Sequence, residues 1–165
     1  MNGNQGPDHS TRDISTSPVS YISETVTWYE DLRKPEWKPP DWAFPLMWTV
    51  VYTMSAAAMG MATERARSPG SRLFLTALAG AGVALNVAWA VQFFGFKQPD
   101  RALKTSKMLV ASVVARMIAT LPHSAVASVL LVPYLVVSSY GTRLNDAIVR
   151  LNPAGGRIPA RGKGG

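Results

Sequence analysis

Along the chain, long apolar blocks alternate with short charged interruptions. Residues 43–63 and 73–96 carry no charged side chain. Glu64, Arg65 and Arg67 close the first block ahead of a Ser68-Pro69-Gly70 turn, and Lys97, Pro99 and Asp100 close the second. About 20 apolar residues, rising about 1.5 Å each, match a hydrocarbon core of about 30 Å. Two further blocks follow. Residues 102–121 contain Lys104, Lys107 and Arg116; residues 124–144 contain Pro133, and Pro122-His123 leaves almost no loop between the two. A proline inside a spanning helix is tolerated where neighbours satisfy the freed carbonyl. The pattern predicts an all-α fold: an integral membrane helical bundle with four transmembrane helices.

The flanks are different. Residues 1–27 are rich in Ser and Thr, lack the apolar run of a secretory signal, and read as a polar, disordered tail. Ile14 to Ser23 is too short and too polar to span a membrane. A basic, Gly-rich tail, residues 153–165, is suited to contact with anionic lipid. The spanning domain is therefore expected over residues 28–152.

Charge then sets orientation. The formal net charge of +7 would suggest nucleic acid in a soluble chain, but here the basic residues flank apolar spans, so no nucleic-acid partner is expected. With four spans, thirteen basic residues fall on the side of the termini, and Arg65, Arg67 and Arg72 fall opposite. The positive-inside bias places both termini in the cytoplasm, with the bacterial cytoplasmic membrane as the default location. Cysteine is absent and the two histidines, His9 and His123, lie far apart, so the chain offers no thiolate or histidine-rich metal site. His123 reads as a turn residue rather than a haem ligand.

Candidate chemistry is aromatic. Trp28 to Pro40 reads WYEDLRKPEWKPP, and four of the five tryptophans (Trp28, Trp37, Trp42 and Trp48) lie in or just after it. Tryptophan favours the membrane interface, and Pro35, Pro39 and Pro40 hold the backbone out of a helix until the entry point. Within the spans, Trp48, Tyr52 and Met59 recur near helical spacing. Asn86, Trp89, Ala90 and Phe93 share a face, as do Tyr134, Ser138, Gly141 and Asn145. These stripes either pack helices together or wall a site for a flat, apolar ligand. Asn86 needs a partner in hydrocarbon, either another helix or a ligand. Ala56 with Gly60, and Gly80 with Ala84, would permit close helix approach, internally or at a dimer seam. Arg116 lies about 9 Å of helix before Pro122, so snorkelling to the outer interface is expected, with pairing to an acidic ligand group as the alternative. Val137, Tyr140 and Arg143 fit a loose sterol-contact pattern.

Three ordered signatures carry a resemblance. The first is Trp28-Tyr29, Leu32, Lys34-Pro35, Trp37, Pro39-Pro40, Phe44, Trp48 and Tyr52. The second is Leu85-Asn86, Trp89, Phe93-Phe94 and Pro99. The third is Val132-Pro133-Tyr134-Leu135 with Thr142, Leu144-Asn145 and Leu151-Asn152. Together they resemble the TspO/translocator protein family, the tryptophan-rich sensory proteins. The resemblance implies a five-helix membrane bundle, often a homodimer, that binds porphyrins, sterols or benzodiazepine-type ligands beneath the loop after its first helix. It implies that Trp28 to Pro40 is this loop, on the cytoplasmic side. Trp37, Trp48, Tyr52, Asn86, Trp89 and Phe93 then correspond to pocket positions, and Tyr134 and Ser138 join them from the fourth span. A porphyrin or haem enters as ligand, not as resident cofactor, alongside membrane lipid. Residues 1–27 hold no apolar helix, so four spans are expected where the family has five. Val137 stands where the family commonly has a second tryptophan implicated in light-dependent porphyrin breakdown. A sensory or regulatory binding protein is therefore expected ahead of a porphyrin-degrading enzyme or a tetrapyrrole transporter.

Overall fold

The computed structural model describes residues 18–153; the rest of both expected tails lies outside the described residues. The chain divides into two compact units after Leu32. In the first, the described part is one helix, α1 (Pro18–Asp31). Ser23 and Thr27 donate their hydroxyls to the carbonyls of Ser20 and Ser23, the back-bonding that lets hydroxyl residues sit within a helix. Residues 18–27, read from sequence as tail, are thus helical. Trp28-Tyr29 closes the helix and does not open the extended loop. The helix is 14 residues long, about 21 Å, which is less than a hydrocarbon core.

The second unit begins with the proline-stiffened loop and continues as antiparallel helices. These are α2 (Ala43–Arg65), α3 (Pro69–Ala90, extended by a π turn Val91–Gly95), α4 (Pro99–Thr120), α5 (Ala125–Leu130) and α6 (Val132–Leu151). No strand occurs among the described residues. Ser68 caps α3 through Ser71 N–H with Pro69 at its first position, and Ser124 caps α5 through Ala127 N–H. The π turn is visible in the bond from Phe96 N–H to the Val91 carbonyl, 2.8 Å. The last apolar block is not one kinked helix. It breaks at Leu131, whose N–H bonds back to the Ser128 carbonyl, and Pro133 takes a first-turn position in α6 where its missing N–H costs nothing.

Helix α2 packs on α5 and α6, α6 on α4, α4 on α3, and α3 returns to α2. The buried stripe of α4 runs Ala102, Thr105, Ser106, Leu109, Val113, Arg116 and Thr120, at helical spacing. Large apolar side chains cover the outside instead of the inside alone: Leu73, Phe74, Val83, Ile118, Val126, Val129 and Val136 are all exposed. That inversion is what a bilayer-embedded bundle requires, since lipid is as apolar as the core. Three helical stretches are long and apolar enough to cross a membrane: Ala43–Arg65, Pro69–Gly95 and Ala125–Leu151. Helix α4 forms where expected but falls short of that standard, because it carries Lys104 and Lys107, with Arg101, on the exposed side of its first turns and Arg116 further along.

The small-residue pairs settle on the surface. A Cβ added at Gly60 or Gly80 would meet nothing within 4 Å, so neither serves close packing inside the unit. Close approach occurs at Gly82, where an added Cβ would sit 2.8 Å from the Arg116 guanidinium carbon.

Candidate functional site: a cavity between the spanning helices

A cavity of about 530 Å³ lies among α2, α3, α4 and α6. Tyr52, Ser55, Ala56 and Met59 come from α2, and Ala79, Val83, Asn86 and Val87 from α3; Arg116 of α4 and Tyr134 of α6 complete the lining. The spacing of each set is one helix face, which is why four helices can converge on a common space. Val83 and Val87 are more than half exposed, so the cavity opens on the outer face between α2 and α3. Its size falls within the range of small-molecule sites.

A hydrogen-bond relay crosses it. Tyr52 donates its hydroxyl to Asn86 Oδ1 at 2.7 Å, and Asn86 Nδ2 donates to Tyr134 Oη at 3.3 Å. The amide is thereby satisfied by α2 and α6 at once, as a polar group in hydrocarbon must be. Trp48 caps this relay with its ring centroid 5.3 Å from Tyr52, stacked, and 6.4 Å from Tyr134, edge-on. Trp89 lies 6.4 Å from Trp48 and stacks on Phe93 at 5.6 Å. The aromatic column therefore runs from the cavity toward the loop end of the unit.

Of the residues expected to bind a ligand, Tyr52, Asn86 and Tyr134 line the cavity. Trp48 touches two of them, while Trp89 and Phe93 stand one layer away. The indole of Trp89 is committed: Nε1 donates to Asn145 Oδ1 at 3.1 Å, and Asn145 Nδ2 donates to the Pro99 carbonyl at 3.0 Å. Ser138 is buried and donates to the Tyr134 carbonyl of its own helix. Trp37 lies in the loop, half exposed, edge-on to Tyr140 at 5.5 Å, and its carbonyl accepts the Tyr140 hydroxyl. Arg33 and Asn152 add a second tie, with Arg33 N–H donating to Asn152 Oδ1 and the Arg33 carbonyl accepting from Nδ2. The loop is thus held to α6 at two points. Within the sterol-contact pattern, Tyr140 has this structural task, Arg143 is exposed and Val137 packs against the buried cluster of Val51, Leu109, Val113 and Tyr134. His123 sits in the turn after α4, bonded through its backbone to Thr120.

Arg116 overturns the snorkelling expectation. It is 2% exposed and points into the bundle. Helical side chains tilt toward the N-terminus of their helix, and Pro122 lies in the opposite direction. Accordingly, Nε donates to the Ser112 carbonyl one turn back at 3.3 Å, and Nη1 reaches Ser55 Oγ at 3.4 Å. The guanidinium carbon stands 4.9 Å from the Tyr134 ring centroid, a cation–π arrangement. Nη2 is buried with no hydrogen-bond partner. Sequence alone did not place this residue in the cavity; its odd presence in an apolar block was the available signal.

The model of the TspO/MBR family matches residues 13–151. The chain belongs to that family. A tryptophan-rich sensory protein of Cereibacter sphaeroides is 40% identical over 126 residues, covering 76% of this chain and 77% of the relative. The tryptophan-rich protein TspO of Chlorobaculum tepidum is 33% identical over 135 residues, covering 81% and 85%. The human translocator protein is 32% identical over 146 residues, covering 82% and 83%. The family match begins upstream of α1, so it takes in the whole of that helix as well as the bundle.

Proposed function

We propose that this family member is an integral membrane ligand-binding protein with a sensory or regulatory role, and that it binds a porphyrin or other tetrapyrrole, or a sterol-like molecule, in the cavity between α2 and α3. The observation that carries the reading is the cavity's composition: an apolar wall crossed by the Tyr52–Asn86–Tyr134 relay and capped by Trp48. A flat apolar ligand gains from the aromatic faces, and the relay supplies orienting hydrogen bonds. The name of the Cereibacter sphaeroides relative, a sensory protein, supports the role.

In this reading four segments span the membrane: α2, α3 with its π turn, α4, and α5 with α6. Helix α4 qualifies because Arg101, Lys104 and Lys107 lie in its first turns, where long stems reach the interface, and Arg116 turns into the bundle. Both termini face the cytoplasm of a bacterial cell, following the distribution of basic residues. Tryptophan fluorescence of the purified protein in non-ionic detergent tests the binding. Protoporphyrin IX should quench it saturably, and Trp48→Ala and Asn86→Ala should weaken the titration. Quenching that never saturates rejects the proposal.

A further inference from the structure

We infer that Arg116 is the recognition group for an acidic function, so that the cavity takes a carboxylate carried on an apolar body. The inference rests on the ligand-binding reading above and narrows its ligand class. Arg116 is a charged group with 2% of its surface exposed, in the wall of a cavity. A buried charge of this kind is normally paired with an opposite charge. Its contacts here are all neutral: the Ser112 carbonyl, the Ser55 hydroxyl and the Tyr134 face. Both hydrogen bonds are at the long end of the accepted range, and Nη2 has none. Among the described residues, no Asp or Glu lines the cavity. The positive charge therefore has no counter-charge from the protein side of the site.

A guanidinium offers a planar fork of N–H donors that matches a carboxylate with two parallel bonds. Gly82 makes room for that plane, since any side chain there would displace it. The rest of the wall near it, Ala56, Met59, Ala79 and Val83, offers only apolar contact. An occupant must then combine one acidic group with a hydrocarbon or aromatic body. Two sources present that chemistry: a tetrapyrrole bearing carboxylate side chains, and a fatty acid entering from the bilayer through the gap between α2 and α3.

Paired acids and esters test this. Binding of protoporphyrin IX is compared with that of its dimethyl ester, and octadecanoate with methyl octadecanoate, on the full chain in non-ionic detergent. In at least one pair the acid should bind about tenfold or more tightly, as a charge-assisted pair would give. The pair that shows it identifies the source. In Arg116→Met the acid's advantage should fall to within about twofold. Should that variant not fold, Gly82→Ala, which pushes the guanidinium from its place, should reduce the advantage instead. Equal binding of acid and ester in both pairs overturns the inference while leaving the ligand-binding reading intact. An acid preference unchanged in the Arg116 and Gly82 variants overturns the assignment to Arg116. If no acid and no ester binds, both readings fall.

Discussion

Replacing Gly82 with alanine should cost stability only because Arg116 is present. The new Cβ would lie 2.8 Å from Cζ, 2.9 Å from Nη2 and 3.0 Å from Nη1, all inside van der Waals contact. The obstacle is the far end of a flexible side chain, and the adjoining cavity gives it room, so steric strain itself is small. The cost comes from contacts left behind: the bonds to Ser112 and Ser55 and the face of Tyr134. Hydrogen bonds to a charged group contribute about 1.5–3 kcal/mol each at good geometry, and these are long, so the low end applies. Alanine returns about 0.5–1 kcal/mol of helix propensity. A net destabilisation of about 2–2.5 kcal/mol follows. Two comparisons isolate the cause. Gly80→Ala, with nothing within 4 Å, should be neutral or stabilising by up to about 1 kcal/mol. In an Arg116→Met background, where the side chain stops one atom short of Cζ, Gly82→Ala should also become neutral or stabilising. Helix content followed by circular dichroism through an SDS titration in mixed micelles measures the parent chain and all four variants. Equal shifts for Gly80→Ala and Gly82→Ala, or a cost that persists without Arg116, would refute the reasoning.

Three other outcomes follow from the same geometry. Asn145→Leu removes the acceptor for Trp89 and the donor to Pro99, and strands a partly buried indole N–H, so it should destabilise by about 1–3 kcal/mol in the same titration. Tyr140→Phe frees the Trp37 carbonyl while leaving the ring contact, so faster proteolysis or amide exchange of the loop 33–42 should appear with bundle stability changed by less than about 1 kcal/mol. Because the chain has no cysteine, single cysteines report sidedness cleanly. In intact cells an impermeant thiol reagent should label Arg67→Cys and spare Lys104→Cys, and the reverse pattern contradicts cytoplasmic termini.

How far the residues foretold the structure varied with the physical signal. The charge-free blocks gave α2 and α3 almost to their ends, because nothing but spanning helix accommodates so long an apolar run. The break at Leu131 was harder: a proline is compatible with either a kinked helix or a restarted one, and the backbone bond from Leu131 to Ser128 decides it. Helix α1 was missed because its apolar residues, Val19, Tyr21, Ile22, Val26, Trp28 and Tyr29, are interspersed with Ser, Thr and Glu and form no continuous apolar run. Tyr52, Asn86 and Tyr134 could be named from helical faces and family signatures, but their relay depends on the register of three helices. Arg116 was misjudged for a definite reason. Distance along the sequence to Pro122 measured the nearest interface, whereas the tilt of helical side chains and the gap at Gly82 turned the guanidinium inward.

The central claim, that the space between α2 and α3 is a ligand site, is best tested by filling it. Ala79 lines the cavity from α3, and Ala79→Phe would occupy it without touching the Tyr52–Asn86–Tyr134 bonds. Protoporphyrin IX titrations of the two proteins, followed by tryptophan quenching at matched helix content, give the comparison. The account predicts saturable binding to the parent chain and at least about tenfold weaker binding to Ala79→Phe. Identical saturable titrations for the two proteins would contradict it.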